Sequence, residues 1–229
     1  SQGGQYHRNG GSISPEYSTV CLKGQDIKFG VEAGFNSVKS KLPKEYNSYF
    51  KQKPSFIIGI PVDISFTKLF NIHSGLYFSQ LGTKAHYLQD NRPYSYSESY
   101  RNGTINSIII PANYFYEFKI NNIGLFGGIG FEGEFNISGK SVGYDIQESS
   151  IPWFDNYHKD FEKKAKIGKD LPLIAFGFNV YGGVKFKDAF FVKLFLTQGL
   201  SNIDITPSYS SVPEKQQQFG LTIGYMFQK

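Results

Sequence analysis

The segment QFGLTIGYMF, residues 218–227, decides the fold of this chain because it alternates strictly between two kinds of side chain. One face carries the large apolar residues Phe219, Leu221, Ile223, Tyr225 and Phe227. The other face is small or polar, with Gln218, Gly220, Thr222, Gly224 and Met226. A period of two residues over this length predicts a β-strand with one apolar face.

The same alternation occurs in further segments, which predict seven more strands at 27–36, 56–66, 70–78, 108–118, 123–135, 174–186 and 190–197. Short connections near 67–69, 119–122 and 187–189 alternate with long polar segments at 37–53, 82–107, 136–170 and 199–217. This alternation of short and long connections between strands predicts an all-β fold, namely an eight-stranded antiparallel up-and-down transmembrane β-barrel. Its short turns would be periplasmic and its long loops extracellular.

The apolar face is too large to lie inside such a barrel. It holds roughly forty large side chains, whereas an eight-stranded barrel encloses about a dozen side chains or one small ligand. We therefore expect this face to contact lipid in the bacterial outer membrane. A soluble ligand-binding β-barrel and a soluble β-sandwich are the alternatives, and either would turn these residues inward.

Composition excludes several other classes. No stretch approaches the roughly 18 consecutive apolar residues of a membrane-spanning helix. The net charge of +5 is too small to indicate a nucleic-acid partner. The single cysteine, Cys21, cannot form an internal disulfide.

Two domains are predicted: a polar, periplasmic N-terminal arm over residues 1–25 and the barrel over residues 26–229. Aromatic residues, with 22 Phe and 16 Tyr, are abundant. Many lie at strand ends beside the short turns, as in the aromatic girdle of a membrane barrel. This predicted girdle contains Phe66, Phe70, Tyr116, Phe118, Phe186, Phe190, Tyr225 and Phe227.

Five stretches resemble the PorT-like family of small outer-membrane β-barrel proteins of Gram-negative bacteria: FGVEAGFN, HSGLYFSQLG, IIIPANYFYEF, GLSNID and FGLTIGYMF. The resemblance extends from Ile27 to Phe227 and implies an outer-membrane barrel with no shared catalytic residues and no cofactor. Tyr225 and Phe227 also resemble the aromatic C-terminal signal that the barrel-assembly machinery reads. Some family members take part in secretion or larger envelope assemblies, which implies an envelope protein partner.

Ionisable residues on the opposite, inner face predict a charge network in the lumen, formed by Lys28, Glu32, Asp63, His73, Glu117, Glu132, Glu134, Lys185 and Lys193. Charges inside a narrow barrel must pair or reach water. The network is expected to be a salt-bridged plug, and an ion path lined by Glu32, Glu132 and Lys193 is the alternative. No catalytic residues are predicted, because His73 and Ser74 face opposite sides of one strand. No metal site is predicted, because His7, His86 and His158 have no ligand spacing around them.

The long loops are the predicted binding surface. Tyrosines and small polar residues interleave in the second loop, and the third holds the only Trp and a run of lysines, as in adaptable binding surfaces. The candidate residues are Tyr87, Arg92, Tyr94, Tyr96, Tyr100, Trp153, Lys163 and Lys164. Segment 156–166 is predicted to form a short amphipathic helix.

The expected function is structural or binding, not enzymatic. The loops or the N-terminal arm would engage a protein, glycan or lipid, and lipopolysaccharide would meet the loop lysines. The partners expected are outer-membrane lipid and lipopolysaccharide, the barrel-assembly machinery and an envelope protein, with no nucleic acid. A narrow channel and a soluble ligand-binding barrel are the competing functions.

Overall fold

The computed structural model describes residues 26–41, 50–67, 70–92, 94–150, 156–201 and 215–227. The predicted N-terminal arm and Trp153 lie outside the described residues. Within these ranges the chain forms nine β-strands: β1 Asp26–Lys41, β2 Phe50–Ser65, β3 Asn71–Asn91, β4 Ser95–Ile120, β5 Ile123–Ser149, β6 Tyr157–Ala165, β7 Ile174–Phe186, β8 Phe190–Gly199 and β9 Lys215–Met226. Among these residues no helix has the length and apolar character needed to cross a membrane.

Eight of the strands close into a ring in the order β1-β2-β3-β4-β5-β7-β8-β9. Every pairing in the ring is antiparallel, and β1 closes it by pairing with β9 from Gly30↔Met226 to Lys41↔Lys215. The predicted eight-stranded barrel is therefore confirmed.

The two ends of the barrel differ. At one end, called here the short-turn end, tight turns join β2 to β3, β4 to β5 and β7 to β8. Asn121, Lys187 and Asp188 adopt positive φ angles of 55°, 48° and 59° in these turns, a conformation that Asn and Asp tolerate better than most residues. At the other end, called the long-strand end, β3, β4 and β5 continue well past the other strands.

Side chains alternate around the ring as the period of two requires. On β9, Phe219, Leu221, Ile223 and Tyr225 are exposed, while Thr222 and Met226 between them are almost fully buried. The same division holds on β4 and β7, whose outward faces are rows of Ile, Tyr, Phe and Val. A monomer that exposes this many large apolar side chains needs a nonaqueous surrounding, and lipid provides it.

Two expectations about the loops are wrong. Segment 82–107 is continuous β-structure of the β3–β4 hairpin, apart from the turn between Asn91 and Ser95. Segment 156–166 contains strand β6 instead of a helix, and β6 pairs with Gly139–Gln147 of β5. The physical reason is that β7 pairs with β5 only up to Phe135, so the upper part of β5 leaves its backbone groups open to β6.

Strands β3, β4, β5 and β6 together form a four-stranded sheet beyond the ring, called here the protruding sheet. It comprises residues 86–91, 95–103, 139–149 and 157–165. A bulge at Ile137 of β5, opposite Asn106 and Ser107 of β4, marks its base.

Lipid contact predicts that the cost of a charge on the outer face depends on its depth. Ile129 in the middle of β5 and Ile120 at the short-turn end are equally exposed, at 52 % and 53 %. We expect Ile129→Arg to lower the free energy of unfolding in lipid vesicles by about 2–4 kcal/mol and Ile120→Arg by about 0–1 kcal/mol. Denaturant titration of both variants measures this difference. Equal effects would contradict a lipid-facing wall.

Candidate functional site

The inner face of the barrel holds a buried ion pair between Glu32 on β1 and Lys193 on β8. Lys193 Nζ lies 2.6 Å from Glu32 Oε1. Thr222 on β9 donates a hydrogen bond of 2.5 Å to Glu32 Oε1, and Tyr77 on β3 donates one of 3.0 Å to Glu32 Oε2. Both carboxylate oxygens are thus satisfied, as burial of a charge requires.

A second group of charges lies nearer the short-turn end. His73 Nδ1 is 2.7 Å from Asp63 Oδ1, and Lys185 Nζ is 2.7 Å from Glu117 Oε2 and 3.7 Å from Asp63 Oδ2. The Tyr77 hydroxyl is 3.2 Å from His73 Nε2 and so joins this group to Glu32. The result is one connected network across seven strands of the ring.

The other three residues of the predicted network are placed differently. Glu132 accepts a hydrogen bond of 2.9 Å from Asn179, and Glu134 accepts one of 2.6 Å from Ser107. No ion pair to either carboxylate occurs within the described ranges. Lys28 stands apart at the short-turn rim, where it is partly exposed and pairs with Asp26 at 3.6 Å.

Aromatic and aliphatic side chains fill the space between these charges. This cluster was not predicted as part of a site, and it consists of Ile57, Tyr77, Ile109, Phe115, Tyr181 and Phe195. Room for two of the inner rings comes from β9: a Cβ at Gly220 would lie 2.3 Å from the Phe195 ring, and one at Gly224 would lie 2.2 Å from the Phe191 ring. The cavities that remain have volumes of about 20 to 30 Å³, space for isolated waters.

The mouth of the barrel at the long-strand end is closed by a second apolar cluster, called here the mouth plug: Val38, Leu81, Ile105, Leu171 and Ala175. Leu171 comes from the connection between β6 and β7 and is only 3 % exposed. Asn136 holds this connection, because its Nδ2 donates a hydrogen bond of 2.7 Å to the carbonyl of Pro172. The sequence offers little signal for the plug, since Leu171 follows a polar run.

The eight predicted girdle residues all lie at strand ends or turns of the short-turn end. Seven of them are exposed and Phe66 is half-buried. Rings of neighbours approach one another, with centroids 5.5 Å apart for Phe66 and Phe70 and 5.8 Å apart for Tyr225 and Phe227. They form a band of aromatic side chains at one edge of the apolar wall.

The predicted loop residues are spread over the protruding sheet instead of lying together in one loop. Tyr96 and Tyr100 face outward on β4, Tyr87 faces the opposite way on β3, and Tyr94 and Arg92 lie at the hairpin turn. Arg92 pairs with the neighbouring Asp90. Lys163 and Lys164 are adjacent on β6 and therefore point to opposite faces of the sheet.

Glu98 organises the outward face of the protruding sheet. It accepts hydrogen bonds from Tyr96 at 2.5 Å and Tyr144 at 2.8 Å, and His86 Nε2 lies 2.9 Å away. These hydrogen bonds, first from Tyr96 and then from Tyr144 and His86, lower the pKa of Glu98 to about 2. Tyr144 also stacks on Tyr100, with ring centroids 5.6 Å apart.

The opposite face of the sheet is held by Arg101. Its guanidinium lies 3.9 Å from the centroid of the Phe161 ring and 2.8 Å from Asp145 Oδ1. Burial alone would raise the pKa of Asp145, but hydrogen bonds from Arg101 and Ser99 lower it overall. Strands β4, β5 and β6 are therefore cross-linked by side chains on both faces.

The side chain of Ser74 and that of His73 have different partners. Ser74 donates a hydrogen bond of 2.7 Å to the carbonyl of Pro111, whereas His73 faces Asp63. Among the described residues no group of three or more His, Cys, Asp or Glu side chains is arranged to hold a metal ion.

Comparisons with solved structures show distant likenesses. The chain shares 14 % identity with Ail, the attachment invasion locus protein of Yersinia pestis, over 88 % of this chain and 99 % of that chain, with a TM-score of 0.33. It shares 11 % identity with the outer membrane protein OprG from Pseudomonas aeruginosa, over 88 % and 96 %, with a TM-score of 0.39. It shares 11 % identity with the N-terminal β-barrel domain of Pseudomonas aeruginosa OprF, over 86 % of this chain and 97 % of that chain, with a TM-score of 0.37. Likenesses this weak say nothing about function.

No curated protein sequence matches the chain. A family model described as "Outer membrane protein beta-barrel domain" matches residues 14–204, which is well over half of the chain. This protein therefore belongs to the outer membrane protein beta-barrel domain family and is located in the bacterial outer membrane.

Proposed function

We propose that the protein is a non-conducting outer-membrane barrel with a structural or binding role, which presents its protruding sheet to a protein, glycan or lipid outside the cell. The observation that carries this proposal is the closure of the lumen. The mouth plug seals one end, and below it charged pairs and aromatic rings fill the bore.

The lumen supports this reading because the cavities found among its described side chains are small. Glu32, Glu132 and Lys193 do line one cavity, but its volume is about 30 Å³. A single water occupies about 10–15 Å³ on the same measure, so the cavity holds at most a few waters. Glu32 and Lys193 also neutralise each other, which removes the charge that would attract an ion.

The protruding sheet supports a binding role by its exposure and its fixed shape. Tyr94 at the hairpin turn is 70 % exposed, and Leu88 and Tyr157 near the same tip are exposed as well. Side-chain links through Glu98 and Arg101 hold the strands together. Rigid aromatic rings lose little conformational entropy on binding, so they contact a partner efficiently.

The finer assignments belong to this proposal. We assign the chain to the PorT-like branch of outer-membrane barrels, without enzymatic activity, with residues 1–25 as a periplasmic arm and residues 26–229 as the barrel domain. The aromatic residues Tyr225 and Phe227 would present the signal for the barrel-assembly machinery. The sequence resemblance and the position of both residues at the end of β9 support these assignments.

Conductance measurements test the closed lumen. The full chain, reconstituted into planar lipid bilayers, is expected to carry no steady ion current, because the cavities between its lumen side chains are small. Channel activity would contradict the proposal if it were steady, ion-selective and abolished by Glu132→Ala. Refolded protein must first show the heat-dependent shift in gel mobility of a folded barrel. An absence of ion current then cannot be explained by protein that failed to fold and insert.

Unfolding measurements test whether the lumen charges are structural. Glu32→Ala leaves Lys193 buried without a partner, and we expect a loss of about 3–5 kcal/mol in the free energy of unfolding. The double variant Glu32→Ala/Lys193→Met removes both charges and should recover most of that loss. Additive effects of Glu32→Ala and Lys193→Met in this cycle would show that the two charges do not stabilise each other.

Pull-down from detergent-solubilised envelopes tests the binding role. We expect a stoichiometric partner to co-purify with the wild-type chain and to be lost from the tip variant Tyr94→Ala/Tyr157→Ala. The matched control is Lys119→Ala/Asp188→Ala, which removes an exposed ion pair of 2.6 Å at the opposite end of the barrel. A partner that co-purifies with the tip variant but not with the control would show that binding occurs at the short-turn end instead of at the protruding sheet.

A further inference from the structure

Five lysines point outward beyond the apolar band at the long-strand end: Lys39, Lys53 and Lys84 on the barrel wall, and Lys140 and Lys164 at the base of the protruding sheet. We call them the lysine belt. Lys39 lies four residues past Phe35 on β1, and Lys53 lies three residues before Phe56 on β2. Both phenylalanines are among the last outward apolar side chains of their strands.

Strand register places three of the belt lysines in one row of neighbouring strand positions. Lys53 is opposite Gly82, Gly82 is opposite Thr104, Thr104 is opposite Lys140, and Lys140 is opposite Lys164, a single row across β2 to β6. Lys84 is two residues above this row on β3. Because the strands of such a barrel are tilted by about 35–45°, this row rises from β2 to β6, and the five cations form a staggered band along the long-strand edge of the apolar wall.

The belt lacks enough carboxylates of its own. Lys140 pairs with Glu162 at 2.9 Å, and Lys53 donates to the neutral side chains of Asn102 and Thr104. In the described part of the chain, the salt bridges include none to Lys39, Lys53, Lys84 or Lys164. Lys140 and Lys164 are directly opposite each other, a like-charge pair that destabilises a sheet, and Glu162 supplies one carboxylate beside the two ammonium groups.

The other lysines of β6 show that this arrangement is specific to the outward face. Lys159 and Lys163 lie on the opposite face of the same strand. Lys159 is opposite Asp145 in the β5–β6 register, and Lys163 is near enough to Asp170 to interact with its charge. Each of these two lysines thus lies near a carboxylate of the chain.

Charge also changes with height on the outward face. Above the belt the sheet carries acidic side chains, among them Asp90, Glu98, Glu148 and Asp160. An anionic partner docking along the whole sheet would meet these carboxylates. An anion confined to the membrane boundary would meet only the belt.

We propose that the lysine belt binds the phosphate groups of the phosphorylated saccharolipid in the outer leaflet, lipid A. The belt is adjacent to the apolar wall, where lipid headgroups lie, and lysine ammonium groups form charge-assisted hydrogen bonds with phosphate. This site rests on the proposed orientation, in which the long-strand end is extracellular, and it names the lipid partner of the barrel.

Titration of lipid A into the detergent-solubilised full chain, followed by native mass spectrometry, tests the belt. The outward variant is Lys84→Gln/Lys140→Gln/Lys164→Gln. Its matched control is Lys159→Gln/Lys166→Gln/Lys169→Gln, which removes the same charge from residues outside the belt. We expect the outward variant to bind lipid A roughly tenfold to a hundredfold more weakly than wild type, and the control to change binding less than about twofold. Chemically dephosphorylated lipid A should bind wild type as weakly as lipid A binds the outward variant.

The following results would contradict lipid A binding by the lysine belt. Equal losses in both variants would show a general effect of net charge, and equal binding of both lipids would show that phosphate is not recognised. An anionic envelope protein that competes with lipid A for the belt would assign it to a protein partner instead. If the triple variant fails to fold, Lys164→Gln on the edge strand β6 alone should still weaken lipid A binding measurably. The gel mobility of the wild-type chain and its lack of ion current in bilayers are measured separately. A loss of lipid A binding can therefore be distinguished from evidence against a closed barrel.

Discussion

The volume enclosed by eight strands is the constraint on which the rest of the structure depends. A ring of this size admits only a narrow column of side chains, so the large apolar set must face outward. Outward apolar faces require lipid, and lipid requires that every backbone group on the wall be paired. The closed ring meets that requirement because β1 pairs with β9 and leaves no open edge within the membrane.

The same narrow bore determines what the inside can hold. Glycines on β9 make room for the rings of Phe191 and Phe195, and the remaining space accommodates charges only in pairs. The contacts of Glu32 show the consequence, because they reach Tyr77 on β3, Lys193 on β8 and Thr222 on β9. Residues far apart in sequence are thus joined near the seam where the two ends of the ring meet.

Sequence reasoning was most successful where lipid imposes a pattern. Inside the membrane each strand must alternate, and the eight ring strands were predicted from that alternation alone. Above the membrane both faces of a strand meet water, so β6 carries charged residues on both faces and has no apolar stripe to reveal it. The upper parts of β3 and β4 were assigned to a loop for the same reason.

The candidate sites divide in the same way. The lumen residues could be predicted because an ionisable side chain on the inner face of a narrow barrel has few other places to go. Their partners could not, since Tyr77 joins His73 to Glu32 only through the curvature of the ring. Leu171 in the mouth plug is a single apolar residue after a polar run, and only the folded connection shows where it packs. The outward direction of Lys164 and the opposite direction of Lys163 follow only once β6 is known to be a strand.

Strand β5 changes its neighbour partway along its length, from β7 below to β6 above, while β4 accompanies it throughout. A force applied to the tip along the strand axis would therefore load two long ladders of hydrogen bonds in shear, where many bonds must break together. Peeling them one at a time would require a sideways pull. The protruding sheet is therefore anchored mechanically in the barrel wall. Fluid drag or a tethered partner would deform the hairpin turn before either force detached the sheet from the barrel.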